Sequence, residues 1–181
     1  MPTIVHESLY LEIIIWLFPI TFMFHALEEI ITIENFLKRH KHTVPPTFLG
    51  KMTLTIKKKL GATSPQFSIS MAWILLFISL ITLMTACLLP VGKANFLLYT
   101  AILNLFFLQA FSHIGQTIVL KGYTPGVITA IGLVIPYSLL MYCLLFKGGF
   151  IDGHLLGKSI PFSLLMVPIF LVGNLMGRKF N

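Results

Sequence analysis

Three ionisable residues, His25, Glu28 and Glu29, stand within five positions of one another in "FMFHALEEIITIENF" (residues 22–36), an otherwise oily run. Residues at i, i+3 and i+4 share one face of an α-helix, so this spacing aims all three side chains the same way. A second imidazole comes from "NFLLYTAILNLFFLQAFSHIGQTIVL" (residues 95–120), where Gln109, His113 and Gln116 fall within about 60° of one another at 100° per residue. Asn104 lies on a different face of that helix, suited to bonding another helix. Two histidines and one carboxylate with an open position form a recurrent catalytic zinc arrangement. His25, Glu29 and His113 supply such a ligand set, with Glu28 left as a general base toward water on the ion. Gln109 or Gln116 can orient a ligand imidazole from behind. A bound cation would also offset the repulsion between adjacent carboxylates and the cost of burying them. Mixed imidazole and carboxylate ligation suits zinc, iron and manganese alike.

The same residues support chemistry without a metal. Desolvation and like-charge repulsion would make one glutamate an acid near neutral pH, with His113 as the partner base. Such a pair suits proton relocation in a sterol-like or isoprenoid lipid, an isomerisation rather than a hydrolysis. A third reading has no chemistry, in which the polar residues hydrogen-bond helices together as they do in membrane bundles. Two adjacent acids are an expensive way to do that.

These residues must be positioned by helices in a bilayer. Of the 181 residues, 56% are hydrophobic and 10% charged, with mean hydropathy +0.90; soluble domains carry about 25% charged residues. Apolar runs cover residues 9–33, 68–90, 96–120, 127–146 and 160–177, each near the 20 or so residues that cross the hydrocarbon as helix. The expected fold is therefore all-α, a single polytopic membrane domain (residues 1–181) with about five transmembrane helices. A chain this short cannot enclose five helices that are apolar on every side, which excludes a soluble core. The first span has His6, Glu7 and Glu12 where a cleaved signal peptide has a basic region. Cys87 and Cys143 lie inside spans, form no CxxC pair and read as small apolar residues.

Charge sets the expected orientation. Ten of the thirteen Lys and Arg residues fall on one face of a five-span chain: seven in the loop at 37–67, then Lys121, Arg178 and Lys179. The positive-inside rule then places the N-terminus outside and the C-terminus in the cytoplasm of a cell-membrane protein. The net charge of +7 points to anionic lipid headgroups rather than nucleic acid, because no basic domain stands free of the bilayer. Inside the basic loop, Phe48, Met52, Ile56 and Leu60 recur every four residues beside Lys51 and Lys57–Lys59. That pattern suits a short amphipathic helix on an anionic leaflet, with a solvated loop as the alternative. "VGKAN" and "LKGYTPG" read as short connections, and "FKGGFIDGHLLGK" as a longer Gly-rich outer loop.

"GYTPG" (residues 122–126) opens the fourth span on the side where His25 and His113 sit. Its structural reading is a turn and helix start, with Pro125 in the first turn and Gly126 allowing close approach. Its functional reading aims the helix N-terminus, with Thr124 as cap, at an anionic headgroup or carboxylate; Tyr123 serves either. Pro19, Pro136, Pro161 and Pro168 are expected as kinks or helix starts. His6, His40, His42 and His154 fall in loops, where solvated side chains are the default.

Taken together, "HALEE", the Asn- and His-bearing span and "GYTPGVITA" resemble the HXXEE family of small bacterial membrane proteins, over roughly residues 16–142. The resemblance implies a multi-span helical fold in which those polar residues are functional, and names no reaction. The expected function is an intramembrane, metal-dependent enzyme acting on a lipid or other amphipathic substrate. The alternatives are a transporter or ion and proton pathway, disfavoured by the lack of an inverted repeat, and a metal- or ligand-binding accessory protein. No Gly-rich phosphate loop, nucleophile elbow or dinucleotide fingerprint is present.

Overall fold

The computed structural model describes residues 2–40, 48–60, 63–91 and 95–179, and all secondary structure among them is helical. Lys41, His42 and Lys93 lie outside the described residues, as do the side chains of His6, Ile56 and Leu60. We label the helices α1 (Pro2–Arg39), α2 (Phe48–Leu60), α3 (Ser64–Leu88), α4 (Phe96–Leu120), α5 (Val127–Lys147) and α6 (Gly153–Lys179). All except α2 are long and apolar enough to cross a membrane, the arrangement of a multi-pass membrane protein.

Helix ends follow local chemistry rather than the ends of the apolar runs. Asn95 caps α4 by accepting from the Leu98 N–H at 3.2 Å. Asp152 caps α6 by accepting from Leu155 N–H at 2.7 Å, so part of the Gly-rich stretch read as outer loop is already helix. Both acceptors satisfy N–H groups that the first turn leaves without an internal partner. At the other end of α4, Lys121 takes a left-handed conformation with φ of 50°, a common way to stop a helix. Helix α1 spans 38 residues, about 57 Å at 1.5 Å per residue, and so outruns a hydrocarbon layer of about 30 Å.

The described helices alternate, so the end of α1, α2, the start of α3, the end of α4, the start of α5 and the end of α6 share one side. Most of the basic residues lie there. On that side, Glu34 of α1 accepts from the backbone N–H of Ser64 at 2.8 Å, the first residue of α3. Helix α2 closes the same end. Its buried Leu54 packs with Ile33 and Phe36 of α1, and its Lys59 carbonyl accepts from Asn174 and Arg178 of α6. Phe48 and Met52, from the expected apolar stripe, point away from the bundle.

The core between α1, α4 and α5 is aromatic. Phe18 is fully buried and packs against Tyr99, Tyr137 and Phe106, with ring centroids 5.3–5.7 Å apart. The Tyr99 and Tyr137 hydroxyls are 2.8 Å apart, and Tyr137 donates to the Ile14 carbonyl at 3.2 Å. Buried phenols thus keep hydrogen-bond partners where water has no access. Phe106 reaches onward to His25, ring to ring at 5.9 Å, so this stack forms the floor under the polar cluster.

Helix α5 is irregular where it matters. After a single α turn at Val127–Thr129 it widens into a π turn over Ala130–Val134, then resumes as α-helix at Ile135–Lys147. Pro136 follows directly. A proline cannot donate to the preceding turn and its ring crowds the carbonyl four residues back, and a widened turn relieves that crowding. Single π turns of this kind recur at functional sites.

Candidate metal centre

His25, Glu29 and His113 meet in the interior. They are only 1%, 2% and 3% exposed, and one ligand atom from each lies within 4.8 Å of the others. His25 and Glu29 are one turn apart on α1, and His113 enters from α4. The two imidazole rings stand edge to face with centroids 4.9 Å apart, and His113 Nε2 lies 3.7 Å from Glu29 Oε1. Two neutral imidazoles and a carboxylate at these separations can surround one divalent cation with little movement of any side chain.

The fourth wall of the cluster is backbone. Gly126 has φ of 88°, and a Cβ there would fall 2.9 Å from Glu29 Cγ, 2.9 Å from His113 Cε1 and 3.0 Å from His25 Cε1. Glycine is therefore required twice, for its left-handed conformation and for the space. Close packing of three ligand side chains around a residue with no side chain is an independent sign that the arrangement is built. The residues present fit a small cation.

Glu28 is placed differently from the general base expected from sequence. Its carboxylate reaches the start of α5. Oε1 accepts from the Tyr123 hydroxyl at 2.7 Å and from Ile128 N–H at 3.2 Å. Oε2 accepts from the Thr129 N–H at 2.7 Å and from the Thr129 hydroxyl at 2.5 Å. Both oxygens are thus committed at a helix N-terminus, where the backbone dipole favours negative charge. Partial burial and the bond to Glu28 push the Tyr123 phenol up to about 12, so it stays a neutral donor. The cap of α5 is accordingly this carboxylate from α1. Thr124, expected as the cap, is instead fully buried, bonded to Thr117 at 2.6 Å and to the His113 carbonyl at 3.3 Å. A hydroxyl held against α4 cannot also serve α5, and a charged acceptor makes the stronger bond.

Thr129, which the sequence reading passed over, joins Glu28 to the cluster. Its hydroxyl oxygen is 2.8 Å from His25 Nδ1. A hydroxyl has one proton, and the short bond to Glu28 takes it, so the oxygen accepts from His25 Nδ1–H. That fixes the tautomer and leaves the Nε2 lone pair for the centre of the cluster. The one available signal was position: a hydroxyl residue three places after Gly126, in the first turn of α5.

The amides divide. Gln109 approaches His113 Nε2 at 3.5 Å, a long contact from the preceding turn, and Gln116 donates to Ser112 at 3.0 Å. Both line a cavity of about 370 Å³ that Glu29 and His113 also border. Asn104 does not join them; it donates to Ser159 of α6 at 2.8 Å and accepts from Tyr142 of α5 at 2.6 Å. It ties helices together at a distance from the imidazoles.

No curated protein and no solved structure matches the chain. A family model described as "Protein of unknown function with HXXEE motif" matches residues 16–141, a stretch that holds all three ligand candidates, Glu28, Gly126 and Thr129. With well over half of its length matched, the chain belongs to the HXXEE family.

Proposed function

We propose that this protein is a membrane-embedded enzyme that holds one divalent cation between His25, Glu29 and His113 and acts on a lipid or similar amphipathic molecule. The observation that carries this reading is the buried three-residue ligand set, with ligand atoms within 4.8 Å of one another and a border on an apolar cavity. Zinc, iron and manganese suit these ligands. When bound, such an ion supplies a Lewis acid and an activated water. The chain's own part is to hold His25 in the Nδ1–H tautomer through Thr129 and Glu28, and to keep bulk water away with the aromatic floor. Glu28 is a positioning residue in this scheme, and Glu29 is a ligand. The orientation that agrees with the charge distribution has the α2 end in the cytoplasm. There the exposed Phe48, Leu49 and Met52 of α2 lie at an anionic leaflet beside Lys51, Lys58 and Lys59.

One observation favours a metal-free variant of the same site. Glu29 and His113 are 3.7 Å apart, close enough to share a proton and move it on a bound lipid. Elemental analysis of detergent-purified protein separates the two. About one zinc, iron or manganese per chain, lost in His25→Ala and His113→Ala, is the expected result. Wild-type protein without metal, after purification free of chelators, would leave only the acid–base variant.

A further inference from the structure

The cavity beside Glu29 and His113 is polarised along the bundle. Its wall is built from α1, α3, α4 and the end of α6. Toward the basic end it is lined by Ser70, Gln116 and Asn174 together with Phe67; toward the membrane middle it is lined by Phe22, Ile74 and Leu105. Glu29 and His113 sit between the two zones. From Leu105 to Gln116 the lining of α4 covers about 16 Å, and from Leu105 to His113 about 12 Å, at 1.5 Å per residue. Its volume of about 370 Å³ lies near the lower end of the range for small-molecule sites, enough for one extended chain and not for two. Leu108 lines the cavity yet is 66% exposed, and Ser112, one turn on, is exposed as well. The cavity therefore opens through the side of the bundle along α4, at the depth of the bilayer. Among the described residues no Lys or Arg lines it, and Glu29 is the one acidic residue that does.

From this geometry we infer that the cavity takes a single-chain lipid, which enters sideways from the bilayer and lies with its polar head toward the basic end. The inference deepens the enzyme reading above and rests on it for the role of Glu29 and His113. The chain lies along Phe22, Ile74 and Leu105, and the head reaches Gln116 and Asn174. The group next to Glu29 and His113 is then the junction of head and chain, where an ester, amide or allylic alcohol would sit. A second acyl chain has no room inside these walls.

The test uses full-length protein in nanodiscs and a monoacylglycerol carrying a photoreactive diazirine in its chain. Crosslinked peptides are mapped by mass spectrometry, and metal content is measured on the same samples. Label should concentrate on residues 67–74 and 105–112 and be competed by unlabelled monoacylglycerol. Ile74→Trp and Leu108→Trp, which fill the cavity, should reduce it at least tenfold without changing metal content. Leu108 is largely exposed, so its replacement keeps the test valid if the Ile74 variant misfolds. Even labelling of all outward helix faces would overturn the inference. Equal labelling by the diacylglycerol analogue would overturn it too. Protein without metal that still labels at these two segments would retain the lipid site and remove the metal reading.

Discussion

At the scale of single residues, two adjacent glutamates have taken separate tasks because their neighbours differ. Glu29 faces His25 and His113, whereas Glu28 caps α5 and reaches His25 through Thr129. Glu29→Gln should therefore abolish metal binding. Thr129→Val should weaken it by about 10–100-fold, the usual effect of losing a hydrogen bond behind a ligand imidazole, and Thr129→Ser should restore it. Equal affinity in the valine variant, measured by chelator competition, would mean that the tautomer needs no support from α5. Gly126→Ala adds a methyl group where three side chains already meet. Overpacking of about 1–3 kcal/mol and left-handed strain of about 1–2 kcal/mol should lower the thermal midpoint and empty the site together. The α1 half of the buried cluster was legible in the sequence because i, i+4 spacing alone puts His25 and Glu29 on one stripe. The task of Glu28 was not, because i+3 lies only a part-turn away and the approach of α5 settles which way it turns.

At the scale of helices, long apolar runs announced the spans, and polar caps set where they stop. The start of α6 shows the difference: hydropathy begins a span near residue 160, while Asp152 starts the helix at Gly153. Asn104 is a polar residue with a purely connecting task. Asn104→Ala should cost about 0.6–2 kcal/mol in detergent, the range for hydrogen bonds between membrane helices, with metal content unchanged. Loss of metal in that variant would place Asn104 in the site after all. The π turn at Ala130–Val134 was invisible in the sequence, since Pro136 foretells an irregularity and not its kind. It contains the equivalent of one extra residue. Deleting Gly132 should let α5 close into regular helix while Val127–Thr129 and Ile135–Lys147 keep nearly their present orientation, so metal affinity should be retained. Pro136 would then crowd the turn before it, and the thermal midpoint should fall. Loss of metal in that variant would show that the extra residue itself sets where Thr129 sits.

At the scale of the whole molecule, five spans would put the two ends of the chain on opposite sides of the membrane. Cysteines introduced at Lys57 and Gly149 should react with impermeant reagents from opposite sides; the same side for both would require a different span count. The site itself joins the first span to the third and fourth, and this has a consequence for how the protein is made. The His25–Thr129 contact closes over 104 residues, so α1 leaves the ribosome long before the groups that satisfy Glu28 and Glu29 exist. In the translocon an acidic residue at the middle of a helix costs about 2.5–3.5 kcal/mol, less toward the end, and α1 carries two together. The nascent first helix should linger beside the insertion machinery, waiting for α4 and α5, and a chain stopped at Lys121 should be degraded quickly. Replacing both glutamates by glutamine in that truncated chain should lengthen its lifetime in a pulse–chase experiment. The third ligand candidate, His113, comes with α4, and the Thr129 support and the Gly126 wall come only with α5, so the proposed site is assembled in that order.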